Sequence, residues 1–303
     1  MRAEHLYDTE GQLCSYAELA AKVQDRYAEH ATLENFNRKA TAAQNALDRL
    51  KSDLAQANPD VVIIVGDDQQ ELFTPANTPA ISIFYGEKII THYIEAEEYR
   101  GMDEDFLSAM QKGYRMDDRY ELEGYAAFAR ELIERLVELG FDIGAVGELL
   151  DGDKTGFGHA YGFIYNRLMG EKKFPIIPVM LNTFYPPNQP TPARCYDLGR
   201  ALRTVIEASP AKLRVGIVAS GGLSHFVTNE ELDWKILAAL QERNGEALRK
   251  LPARLLQSGS SEIRNWIAVA GAVEGMELNW YEYHPVYRTP AGTGVGMAFA
   301  RWS

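Results

Sequence analysis

Val61-Val62-Ile63-Ile64-Val65 constrains the fold more than any other segment: five consecutive β-branched apolar residues, preceded by the helix-stopping Asn58-Pro59-Asp60 and closed by Gly66. A run without polar alternation reads as a strand buried on both faces, as in a parallel sheet covered by helices. Further strands are predicted at Ala80–Phe84, Phe141–Val146, Phe174–Leu181 and Leu213–Ala219. Helices are predicted at Gly124–Leu139, closed by Gly140, and at Cys195–Ala208, and the chain after His225 reads as mostly helical up to Ala272. Upstream, Ser15–Ala57 lacks Gly and Pro and carries Leu33, Phe36, Ala40, Ala43 and Leu47 at helical spacing, which predicts a long helical lead-in. The expected fold class is α/β, a mixed or mostly parallel central sheet flanked by helices. One domain is expected over 1–303, with 1–57 as the lead-in and 58–303 as the core. Because such folds usually open with a strand, a first strand is expected to be missing from this chain.

Acidic residues outnumber basic ones by 43 to 31, a net charge of -12 that works against binding to nucleic acid or an anionic membrane. Cys14 and Cys195 are the sole cysteines, too few for a disulfide framework or a cysteine zinc site, so a reducing cytoplasm is the expected location. No apolar run approaches the roughly 20 residues of a membrane-spanning helix. Met1-Arg2-Ala3-Glu4-His5 also lacks the apolar region of a signal peptide.

In an α/β sheet, ligands gather at the carboxyl ends of strands. One such end carries Gly66-Asp67-Asp68-Gln69-Gln70-Glu71, whose carboxylates and amides suit a divalent cation or the orientation of a base, with a solvated turn as the plain alternative. Another carries Ser220-Gly221-Gly222-Leu223-Ser224-His225, where two glycines permit a tight turn and His225 titrates near neutrality. Gly156-Phe157-Gly158-His159 puts a His among small residues before an apolar stretch, as a pocket lining or a plain loop His. Ser258-Gly259-Ser260-Ser261-Glu262 reads by itself as a helix start with a first-turn Glu. Arg194, beside the Pro-rich loop Tyr185–Pro190, suits either a substrate carboxylate or a structural ion pair.

In order, Gly66-Asp67-Asp68-Gln69 with Phe73, Gly158-His159-Ala160, Gly221-Gly222-Leu223-Ser224-His225, and Glu262 with Asn265-Trp266 resemble the class III extradiol ring-cleavage dioxygenases, the family of the protocatechuate 4,5-dioxygenase catalytic (beta) subunit. The likeness runs from Val61 to the carboxyl terminus. It implies a non-haem Fe(II) held by two His and one Glu, with positions left for an aromatic diol and dioxygen. By this resemblance Glu262 is the carboxylate ligand, replacing the helix-start reading. His225 becomes the acid/base that assists deprotonation of the diol, and His159 a second pocket His. Gln69 stands where the family has its second ligand His, and Asp68 completes or supports the metal shell. Ser224 and Arg194 are the expected substrate contacts. The family's first ligand His follows the first strand that is expected to be missing from this chain, and a dimer or larger homo-oligomer is in keeping with the family. Two other readings stay open: a non-catalytic member of the fold with a decayed metal site, and a hydrolase using Asp67, Asp68 and Glu71 with Mg²⁺ or Mn²⁺.

Overall fold

The computed structural model describes residues 6–95, 99, 101–149 and 155–303; Met1–His5, on which the reading of the amino terminus rests, lie outside the described residues. In chain order the strands are β1 (Leu6–Tyr7), β2 (Leu13–Cys14), β3 (Val61–Asp67), β4 (Ile81–Phe84), β5 (Lys88–Ile90), β6 (Glu121–Glu123), β7 (Gly144–Val146), β8 (Ile176–Leu181), β9 (Val215–Ala219), β10 (His225–Val227), β11 (Leu278–Tyr287) and β12 (Thr293–Trp302). The helices are α1 (Tyr16–Val23), α2 (Leu33–Ala57), α3 (Glu104–Gly113), α4 (Ala126–Glu138), α5 (His159–Arg167), α6 (Pro192–Ala208), α7 (Glu230–Gln241), α8 (Gly245–Arg249) and α9 (Ile263–Ala272).

The central sheet has the strand order β7-β4-β8-β3-β9. β3 runs parallel to both β8 and β9, and β4 is parallel to β7 but antiparallel to β8, so the sheet is mixed and mostly parallel. All seven residues of β3 are buried, and their alternation divides the core in two. Val61, Ile63 and Val65 pack with Leu132 of α4, Leu202 of α6, Ile236 of α7 and Ile267 of α9, whereas Val62 and Ile64 pack with Leu47 of α2 and Tyr161 and Ile164 of α5. Each such side chain removed from water stabilises the fold by about 1.5–3 kcal/mol. The sheet flanked by helices expected from the apolar run is therefore present. Among the described residues, no helix is long and apolar enough to cross a membrane.

Three local expectations need correction. The lead-in is not one helix: Gln24 and Asp25 take positive φ of 49° and 54° and end the first helix, and Thr32 caps a second by accepting from the Asn35 N–H. The helix predicted from Cys195 begins at Pro192, whose fixed φ suits a first helical position, with Thr191 as its cap. The helix predicted from Gly124 begins at Ala126. Beyond these, β11 and β12 form a long antiparallel pair, and β12 also pairs with β10, opposing His225 to Val295. This second sheet braces the segment that carries His225.

Candidate active site

The site forms where β3, the turn after β9, the start of α5 and the start of α9 meet. Asp67 is the last residue of β3 and is buried; its carboxyl is pushed up to about 7, first by burial and then by the charges of Glu262 and Glu71. Immediately after it, Asp68 accepts from the backbone N–H groups of Gln70, Leu72 and Phe73 at 3.0, 2.7 and 3.1 Å. Asp68 thus shapes the turn, and burial together with Glu71 pushes its carboxyl up to about 7. The Gln69 side chain lies against Asp67, its amide donating over 3.4 Å.

His159 opens α5, with Gly158 as the cap residue. Its Nδ1 is 2.5 Å from Glu71 Oε1, and its backbone N–H donates to the same oxygen at 3.2 Å. Burial opposes both charges, yet the pairing wins. Glu71 is held down at about 2, and the His159 imidazole is held well above its ordinary range by Glu71, Asp67 and Glu262. The Tyr114 ring meets His159 edge-on, with ring centroids 5.7 Å apart.

The turn after β9 supplies the other half. Gly221 has φ +120°, and a Cβ there would come within 2.5 Å of Glu262 Oε2, so only glycine lets the carboxylate approach this closely. The Gly222 N–H donates to the same oxygen at 3.2 Å. His225 Nδ1 contacts the Leu223 carbonyl at 2.8 Å, and His225 Nε2 lies 3.3 Å from Glu262 Oε1. Burial works against the charge of both partners, but their contact raises His225 above its usual range and lowers Glu262 below its own. Glu262 closes a short 3-10 turn and stands at the N-cap of α9 without a side-chain capping bond, so the segment does start a helix while its carboxylate is engaged by the Gly222 N–H and His225. Ser260 Oγ accepts from the His225 N–H and donates to its carbonyl, both at 3.0 Å.

Asp67, His159 and Glu262 each direct one ligand atom into a common space, all within 4.8 Å of one another. Asn265 on α9 braces the group by donating to the Ser220 carbonyl at 2.8 Å and toward Asp67 at 3.4 Å, and its buried Oδ1 has no partner among the described residues. An imidazole with two buried carboxylates beside an orphaned amide oxygen fits a divalent first-row cation, which would cancel the charge that burial leaves expensive.

Of the residues expected from sequence, His159, His225, Glu262 and Gln69 are gathered here. Asp68 adjoins them with its oxygens spent on the turn. Two are placed elsewhere. Ser224 is fully buried; its N–H and hydroxyl donate to Asp233 at 2.9 and 2.7 Å and its oxygen accepts from the Asn229 N–H, so the side chain is spent on the fold. Arg194 lies over the Phe141 ring and donates to the Gly140 carbonyl at 3.0 Å, contacts that tie α6 to the end of α4. The sequence offers the carboxylates of Asp67 and Glu71 as cation-suited groups of one loop without separating their roles, and Asn265 only as part of a motif.

Residues 33–298 match the family model described as the catalytic LigB subunit of aromatic ring-opening dioxygenase. Over 130 residues the chain is 34% identical to a gallate dioxygenase of Pseudomonas putida; the matched stretch covers 40% of this chain and 37% of that relative's length. With most of its length inside the family match, the chain belongs to the family of the catalytic LigB subunit of aromatic ring-opening dioxygenases.

Proposed function

We propose that this chain opens the ring of an aromatic diol beside its hydroxyls, using dioxygen and an Fe(II) held by Asp67, His159 and Glu262. The observation that carries the reading is the convergence of those three ligand atoms within 4.8 Å, next to an imidazole on its own turn. A bound Fe(II) would supply Lewis acidity toward the diol oxygens and an electron source for dioxygen. The protein's own part is proton handling and placement. With Nδ1 committed to the Leu223 carbonyl, Nε2, 3.3 Å from Glu262 Oε1, is the His225 nitrogen left to take the proton of a diol hydroxyl and later return it. Glu262 stabilises the imidazolium formed in that step. Tyr185, whose phenol is pushed up to about 12 by burial and by Asp68, Glu71 and Asp67, stays protonated and remains a hydrogen-bond donor beside the acidic cluster.

The test is anaerobic Fe(II) loading of the chain, followed by oxygen uptake with a panel of catechols, a gallate and a protocatechuate. Oxygen consumption matched by ring-opened product supports the reading. Binding of Fe(II) without oxygen uptake on any diol, or no binding at all, counts against it. The second outcome favours a family member without catalysis.

A further inference from the structure

The geometry points to Glu71 as the residue that orients His159 toward the bound cation, a positioning residue and not a ligand. This rests on the reading in which Asp67, His159 and Glu262 hold the cation. By residue type Glu71 is as good an oxygen ligand as its neighbours, yet both its oxygens are already engaged. Oε1 faces His159 Nδ1 at 2.5 Å and the His159 N–H at 3.2 Å, and Oε2 accepts from the Gln69 N–H at 2.8 Å. The Glu71 backbone is held in turn, its carbonyl accepting from the Gly156 N–H at 3.1 Å. Gly158 permits the approach, since a Cβ at that position would lie 2.0 Å from the Glu71 carboxyl carbon.

An imidazole that gives its Nδ1–H to a carboxylate has one tautomer and one ring orientation, which leaves the Nε2 lone pair for a metal and strengthens it as a donor. Loss of such an outer partner characteristically weakens metal binding 10- to 100-fold. A true ligand and an orienting residue differ in one measurable respect. If Glu71 acts through His159, removing it costs nothing further once His159 is gone; if it binds the cation itself, its loss adds to that of His159.

The experiment is anaerobic calorimetric titration of the full chain with Co(II), alongside the visible spectrum of the Co(II)-loaded protein, for wild type, Glu71→Gln, His159→Ala and the double variant. Circular dichroism checks that each is folded, and Glu71→Asp, which keeps the charge on a shorter arm, serves as a second probe of the same contact. Co(II) affinity is expected to fall about 10- to 100-fold in Glu71→Gln, with a shifted spectrum, and the double variant should match His159→Ala. Affinity within about twofold of wild type in both Glu71 variants, or a further loss in the double variant, overturns the assignment. If wild type itself does not bind Co(II), the cation reading fails and this inference fails with it; tight wild-type binding with unaffected variants overturns the inference alone.

Discussion

His225 Nε2 lies 3.3 Å from Glu262 Oε1 while His225 Nδ1 is tied to the Leu223 carbonyl at 2.8 Å, so the ring is fixed at both nitrogens. Glu262 belongs to the Asp67–His159–Glu262 cluster and His225 stands just outside it, so under the proposed function proton transfer and metal holding fall to different residues. His225→Gln should therefore lower kcat on a productive diol by about 10²- to 10⁴-fold. Cation affinity should stay within a few-fold of wild type. Parallel measurement of turnover and Co(II) binding checks this, and equal loss of both would place His225 among the ligands instead.

Gly259 is the floor on which that ring rests. A Cβ there would meet His225 Cδ2 at 2.3 Å and the His225 carbonyl oxygen at 2.5 Å, and the backbone atom cannot swing aside. Gly259→Ala should cost about 1–3 kcal/mol of stability by overpacking and displace the imidazole, with turnover falling more than the stability loss explains. Gly113→Ala, where a Cβ meets nothing within 4 Å, is the control and should leave turnover unchanged. Urea unfolding and steady-state rates on both variants decide; full activity in Gly259→Ala would refute the packing argument.

The central strand was legible because Val61–Val65 carries no polar residue, and a strand buried on both faces can hardly be written otherwise. The break after α1 was not, since Gln24 and Asp25 adopt positive φ without a glycine to announce it. The β11–β12 pair went unread: Pro285 and the glycines at 294 and 296 blur the alternation that marks a strand. Within the site, the His-bearing turns were visible from their glycines and their positions at strand ends. The Glu71–His159 pair was not, because its partners lie 88 residues apart and meet only once the sheet has formed. Ser224 and Arg194 have the right chemistry for substrate, but folding commits them to Asp233 and to Phe141 with Gly140.

Asp233 accepts from the Ser224 N–H and hydroxyl and from the Tyr283 hydroxyl at 2.7 Å, joining α7 and β11 to the turn before His225. Asp233→Ala leaves the buried Ser224 N–H without its partner and should cost about 2–3 kcal/mol. Burial raises the Asp233 carboxyl above its ordinary value despite those donors and the charge of His225. The folded chain therefore keeps a proton that the unfolded chain has released. This contribution is fully present below the ordinary Asp value of about 3.9 and is lost as pH rises through the raised folded value. Asp233→Asn removes that dependence, so the stability gap between wild type and variant should be widest in acid and narrow toward neutrality. Urea unfolding at a series of pH values measures it, and parallel curves would contradict the argument.

The two thiols should behave very differently. Cys195 on α6 is fully buried and its thiol is pushed up to about 12 by burial, with its sulfur against the Pro190 carbonyl at 3.9 Å. Cys14 is partly exposed, its thiol raised by partial burial and by the charges of Asp8 and Glu18. Since the thiolate is the reactive species, a disulfide reagent at about pH 8 should label Cys14 slowly and Cys195 only as the fold opens. Cys195 packs in the same core layer as Leu198 and Leu202 of α6 and Ile267 of α9, so its labelling reports separation of that layer from the sheet. In a urea series the second thiol should appear with the loss of circular dichroism. Two fast equivalents from the native chain would mean that α6 is not seated as described.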